Sequence, residues 1–239
     1  MDSISQILSL NSTAVSKMVA GQCKESSMAL CEATYVLRQI ISEGSMPELL
    51  NPSSMPTADQ LLSTASLVQV HGEAIAWDAN PSFVNGAMFP LFDRALSIKI
   101  HDTASAQDLL NLDFVRRLAA VVLYNKGLLC HCQALQKGDS REMYKALSYY
   151  QAAMGSILSA HDHLKYTAPI LVLALLNNMG HIRCHHHDRD EARTCLDMLR
   201  HIFDESGAEE FLEEEDSLFF YFTIFTTCPN DALAIAPAA

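Results

Sequence analysis

One spacing of residues recurs along the chain and constrains its fold more than any other feature. A small residue is followed twelve positions later by a second small residue, and then by core-type residues at further steps of four and three. Because small residues let two helices approach closely, and one helix pair cannot bury its apolar face alone, neighbouring pairs must stack. The spacing therefore predicts an array of antiparallel helix pairs. Two sets of residues follow it: Ala14, Ser26, Leu30 and Ala33, and Gly180, Ala192, Leu196 and Leu199.

The middle of the chain carries a third copy with one altered step. Its members are Gly127, Ala146, Tyr150 and Ala153, and the second follows the first by nineteen positions instead of twelve. The extra length predicts an inter-helix turn about seven residues longer than in the other copies, around Gly138. We expect Gly127 and Gly180 to permit close helix contacts, which Tyr150 and Leu196 fill from the neighbouring helix.

These spacings resemble the tetratricopeptide-repeat (TPR) family, over about two thirds of the chain. The resemblance is most specific at residues 177–180 together with Ala192. The chain differs from the family at Lys126, Cys130 and Arg183, where family members prefer large apolar or aromatic residues. It also lacks the proline that closes the family's repeat. The chain is similar to a diverged TPR-like protein with one domain over 1–239. The alternative is an unrelated helical bundle that has these spacings by coincidence.

The apolar pattern predicts a mainly all-α protein. Only 9 Gly and 8 Pro punctuate 239 residues, which favours long helices with few turns. The proline-rich segment 42–59 predicts a mobile loop, and the small residues of 229–239 predict a flexible tail. Residues 61–100 fit either helix or strand, so a small β-hairpin inserted around 66–98 remains open. Apolar residues recur at helical spacing over 4–41, divided at Gly21, and over 106–135, 143–158, 167–185, 191–203 and 217–227.

The charge of the chain indicates which partners it can bind, and its cysteines indicate the cellular compartment. The chain has 16 basic and 28 acidic residues, a net charge of -12, and no basic patch. Nucleic-acid and anionic-membrane partners are therefore not expected, because both need clustered positive charge. The 7 cysteines follow no signal-like segment, which predicts reduced thiols in the cytoplasm or nucleus. The acidic run 209–216 precedes the last predicted helix, where negative charge suits the helix dipole.

A cluster of histidine and cysteine around 181–188 raises an enzymatic alternative. His181, Cys184 and His185 fall close together on one predicted helix face. A zinc site needs about four converging ligands, and a catalytic thiol needs an oriented base. No paired Cys-x-x-Cys motif or nucleophile turn supports either reading. We expect no metal, no cofactor and no catalytic residue, and a metal- or thiol-dependent enzyme stays the alternative.

The TPR resemblance implies a protein-interaction module that binds a peptide or protein segment on a concave surface. The first helix of each pair lines that surface in the family. The implied groove is neutral, partly aromatic and partly histidine, and it lacks the Lys and Arg of a chaperone carboxylate clamp. The partner could equally be another copy of the chain. The groove residues implied by the resemblance are Tyr124, Asn125, Leu128, His131, Asn177, His181 and Cys184.

Overall fold

The described part of the protein consists of helices joined to one small antiparallel sheet. The structure is a computed structural model and describes residues 3–42, 68–75, 89–100, 112–158, 168–205 and 212–226. The mainly helical prediction and the strand alternative for the inserted segment are both confirmed. Its elements are α1 (Ser3–Val19), α2 (Cys23–Ser42), β1 (Val68–Ala74), β2 (Arg94–Ile100), α3 (Leu112–Lys137), α4 (Ser140–Leu158), α5 (Pro169–His185), α6 (Arg189–Glu205) and α7 (Glu214–Thr226).

Several sequence predictions fall beyond these ranges. Except for Ser42, which ends α2, the predicted loop 42–59 lies outside the described residues, and so does the predicted tail 229–239. The single domain over 1–239 stays a prediction.

Six of the helices form three consecutive pairs. α1 packs on α2, α3 on α4, and α5 on α6. Short connections force the two helices of a pair to run antiparallel. The pairs contact one another in chain order, through α2 with α3 and α4 with α5, and α7 follows against α6. Within the described ranges, α7 has no following helix to pair with.

The three turns inside the pairs share one hydrogen-bonding pattern. Each contains a residue with positive φ: Gly21 at 70°, Gly138 at 64° and His187 at 59°. In each, the next residue donates its N–H to a carbonyl five positions back, which satisfies a carbonyl at the helix end. These bonds are Gln22 N to Lys17 O (2.8 Å), Asp139 N to Ala134 O (3.0 Å) and Asp188 N to Arg183 O (2.9 Å).

The shared turn corrects the prediction of a longer connection in the middle pair. The turn at Gly138 is no longer than the other two, so that prediction is wrong. The extra residues lie in helix: α3 has 26 residues, whereas α1 and α5 have 17 each. Small residues in a longer helix pair can contact their partners farther from the turn, which sequence spacing alone does not reveal.

Both predicted close contacts at glycine exist, but one has a different partner. A Cβ placed on Gly127 would lie 2.7 Å from the Tyr150 ring, as the sequence predicts. A Cβ on Gly180 would lie 2.6 Å from the Phe89 ring, and Phe89, not Leu196, fills that space. Leu196 packs against Phe89 from α6. The inserted segment therefore supplies the large residue between α5 and α6.

Gly180→Ala is expected to lower the free energy of unfolding by about 1–2 kcal/mol. The methyl group overlaps a fully buried ring, and overpacking costs about 1–3 kcal/mol, partly offset by the better helix propensity of alanine. Gly127→Ala should behave alike. Gly155→Ala is the matched control, since no residue of the described ranges lies within 4 Å of the position that its methyl group would take, and it should stabilise by up to about 1 kcal/mol. Equal urea midpoints for Gly180→Ala and Gly155→Ala would contradict the packing.

The two strands lie against the first helices of the pairs. β1 and β2 are antiparallel, with Gly72 opposite Leu96, and β2 packs on α1 and α3. By length and composition α3 could cross a membrane, but most of its apolar stretch is buried in the fold. This burial is typical of a core helix, and α3 packs between the neighbouring helices α2 and α4.

Candidate functional site

The structure places the predicted groove residues inside the protein. Cys184 is half-buried, and the other six are almost completely excluded from solvent. The prediction that these six line an accessible groove is therefore wrong. The physical reason is that β2 and the preceding residues 89–93 lie across α1, α3 and α5. The six buried residues are Tyr124, Asn125, Leu128, His131, Asn177 and His181.

Two asparagine side chains hold the main chain of this segment. The Asn178 Oδ1 accepts the Phe92 N–H at 2.9 Å, and its Nδ2 donates to the Phe92 carbonyl at 3.0 Å. Asn125 does the same for Leu96, at 2.8 Å to the N–H and 2.7 Å to the carbonyl. Asn11 adds a second donor to the Leu96 carbonyl at 3.1 Å. We call Asn11, Asn125 and Asn178 the asparagine clamp.

At Leu96, Asn125 and Asn11 of the asparagine clamp take the place of a third strand beside β2. The N–H and C=O of one strand residue point to the same side, so Leu96 directs both groups away from β1. A side-chain amide offers one acceptor and one donor group in nearly the geometry of a neighbouring backbone. Buried main-chain groups without partners are costly, and the clamp satisfies them here. Side-chain amides in the predicted groove thus bind a polypeptide that belongs to the same chain.

A chain of hydrogen bonds continues from the clamp into the helix array. Asn178 Nδ2 lies 3.4 Å from the Tyr150 hydroxyl, which lies 3.3 Å from His131 Nδ1. His131 Nε2 lies 3.0 Å from His181 Nδ1. One assignment serves every atom: the amide donates to the Tyr150 oxygen, the Tyr150 hydroxyl donates to Nδ1, and the His131 Nε2–H donates to His181. Both imidazoles are then neutral.

Burial keeps these histidines neutral. It lowers the pKa of His181 to about 4, with a further contribution from His185. It also lowers the pKa of His131 well below the ordinary value, with contributions from His181 and His185. Neutral, hydrogen-bonded imidazoles in a closed interior are structural connectors between α3 and α5.

Three of the described cysteines are buried thiols that are poorly suited to nucleophilic catalysis. Burial raises the pKa of Cys130 and of Cys195 to about 11, and that of Cys132 well above its ordinary value. A thiol with a raised pKa is a poor nucleophile, because the thiolate is the reactive form. Across the described residues, no group of three or more His, Cys, Asp or Glu side chains is placed to hold a metal ion.

One face of α7 attaches the helix to the inserted segment. Phe220 stacks on Phe92 with ring centroids 4.9 Å apart, and Phe219 meets Phe92 edge-on at 5.1 Å. Arg94 of β2 pairs with the first turn of α7, through Nε to Asp216 at 2.9 Å and through a terminal nitrogen to Glu215 at 2.7 Å. α7 is therefore fixed to the same segment that the asparagine clamp holds.

The opposite face of α7 is apolar and faces solvent. Tyr221 and Phe225 lie ring to ring on it, with centroids 4.2 Å apart. In the described ranges the other exposed large apolar residues are Met28, Tyr35, Ile41, Tyr144 and Met198, which lie on other helices. The sequence did not reveal this face, because α7 is apolar almost all round and reads as a buried helix. We call it the outer α7 face; it consists of Leu218 (47% exposed), Tyr221 (42%), Phe222 (58%) and Phe225 (60%).

Comparison of the chain with protein-family models, with curated proteins and with solved structures finds no match. The site must therefore be interpreted from its own geometry.

Proposed function

We propose that this protein is a TPR-like interaction module of the cytoplasm or nucleus, without catalysis, that docks a helix of a partner protein on the outer α7 face. The partner helix completes a fourth helix pair. The observation that carries the proposal is an unpaired last helix, within the described ranges, whose outward side is apolar.

Repeat arrays need a polar outer surface on their terminal helix. Each helix pair buries its apolar face against its neighbours, so the end of an array is soluble only when its last face is polar. The outer α7 face is apolar instead, with aromatic side chains exposed in a cluster. Clustered exposed apolar side chains mark interaction surfaces, and aromatic residues contribute most to binding energy there.

The surface formed by the first helices of the pairs, α1, α3 and α5, is not the partner surface in this proposal. The chain's own β2 occupies it, and the residues that hold β2 are buried. A partner would have to break several buried hydrogen bonds and remove Phe92 and Leu96 from the core. The outer α7 face needs no such rearrangement.

A neutral helical peptide with a single stripe of leucines is a direct probe of the proposal. We expect measurable binding to the wild-type protein, weakened about tenfold or more by Tyr221→Ser with Phe225→Ser, because aromatic anchors dominate such contacts. Fluorescence anisotropy with a labelled peptide gives both affinities.

The matched control is Met28→Ser with Tyr35→Ser, which removes two exposed apolar side chains from α2. This variant should bind the peptide as the wild type does. Equal weakening by both double variants, or no binding to the wild type, would contradict the proposal.

A further inference from the structure

Residues along the outer α7 face form one line with a charged end. Leu218, Tyr221 and Phe225 succeed one another at steps of three and four, and Glu214 precedes Leu218 by four. Side chains at these steps stand above one another on a helix surface. The line therefore begins with a carboxylate in the first turn and continues with three apolar residues.

Glu214 differs from the acidic residues on either side of it. Glu215 forms an ion pair with Arg94, and the Glu213 Oε1 lies 3.6 Å from the His71 Nδ1. Glu214 is exposed and forms no ion pair with any residue in the described ranges. An exposed carboxylate in line with an apolar stripe favours a partner with positive charge at that end.

The whole chain adds to the same preference. Its net charge is -12, so two copies repel each other, whereas a basic partner is attracted. A second copy of the chain is therefore the less favourable occupant of the outer α7 face.

We propose that the partner segment is a basic amphipathic helix, antiparallel to α7, with Lys or Arg in its C-terminal turn opposite Glu214. The inference rests on the proposed function. The antiparallel direction follows the three helix pairs of the array. It places the basic residues at the end of the partner helix where its dipole also favours positive charge.

Three helical peptides with the same leucine stripe test this inference. One carries two lysines in its last turn, one carries them in its first turn, and one is neutral. The peptide with C-terminal lysines should bind about threefold to fivefold more tightly than the neutral one, as expected for one exposed ion pair. Glu214→Gln should remove that gain, whereas Glu32→Gln, which deletes an exposed charge on α2, should keep it.

The outcomes separate this inference from the proposed function. The inference is overturned if both lysine peptides bind more tightly than the neutral peptide by the same factor. It is also overturned if Glu32→Gln and Glu214→Gln reduce that factor equally, because only the net charge of the protein then matters. If all three peptides bind equally well on the outer α7 face, the charge inference fails and the proposed function stands. If none binds, the proposed function fails as well. A dimer in light scattering that Tyr221→Ser with Phe225→Ser abolishes would assign the face to a second copy and overturn the basic partner.

Discussion

Asn178→Ala is expected to lower the free energy of unfolding by about 2–4 kcal/mol. The substitution removes the acceptor for the Phe92 N–H and the nearer of two donors to the Phe92 carbonyl. The other donor, the Tyr124 hydroxyl, lies 3.4 Å from that carbonyl and closer, at 3.0 Å, to the Arg94 carbonyl. Both main-chain groups belong to a residue that is almost fully buried, so water does not replace the lost partner. Each buried group left without a hydrogen bond costs about 1–3 kcal/mol. Urea unfolding followed by circular dichroism measures the change.

Gln39→Ala is the matched control for this substitution. It also removes a side-chain amide from a helix, but the Gln39 amide is exposed and, among the residues that the structure describes, donates to the Tyr35 hydroxyl alone. Its free energy of unfolding should stay within about 0.5 kcal/mol of the wild type. Asn125→Ala should also destabilise the protein, because it removes the acceptor for the buried Leu96 N–H, although Asn11 still donates to the Leu96 carbonyl. A loss below about 0.5 kcal/mol for both asparagines would contradict the clamp.

Acidification is expected to destabilise the protein through its buried histidines. The pKa of His181 is about 4 in the folded protein, below the ordinary value of about 6.5 for an unfolded chain. Above pH 6.5 His181 is neutral in both the folded and the unfolded chain, and it costs no stability there. Stability is lost progressively as the pH falls from about 6.5 to about 4. At pH 5, the loss attributable to His181 is about 2 kcal/mol. His131, whose pKa is also lowered, adds to the loss in the same direction.

His131→Leu with His181→Leu isolates this effect. Replacing both members of a hydrogen-bonded pair leaves neither one buried without its partner, and the Tyr150 hydroxyl keeps its contact with Asn178. The free energy of unfolding of the wild type minus that of this variant should decrease as the pH falls from 6.5 towards 4, because only the wild type has the two buried histidines. Other titrating groups are common to both chains and cancel in the difference. A difference that stays constant with pH would show that the histidines do not contribute.

The helices could be predicted because their signals are local. Apolar residues at helical spacing mark one face of α1 and α2, and Gly21 lies at the turn between them. A glycine after a helical segment also predicts the position of the turn at Gly138, although not its length. Local patterns of this kind do not depend on what the helix packs against.

The candidate site could not be predicted, because it depends on contacts between distant parts of the chain. Asn178 and Phe92 are 86 positions apart, and nothing near either residue predicts their hydrogen bonds. The TPR resemblance implied that residues of α3 and α5 line a groove, and it gave no sign of the β2 segment that covers them. An asparagine on an apolar helix was the available signal, since a buried amide requires a partner. The outer α7 face was missed because an exposed aromatic stripe and a buried one have the same composition.

Hydrogen exchange in the presence of the peptide with C-terminal lysines tests the proposed docking most directly. Amide exchange, read segment by segment by mass spectrometry with and without the peptide, locates the binding surface. The proposal predicts slower exchange in residues 212–226, with exchange in α3 and α5 unchanged. Slower exchange in α3 and α5 with faster exchange in β2 would contradict it, because the peptide would then have replaced the chain's own strand.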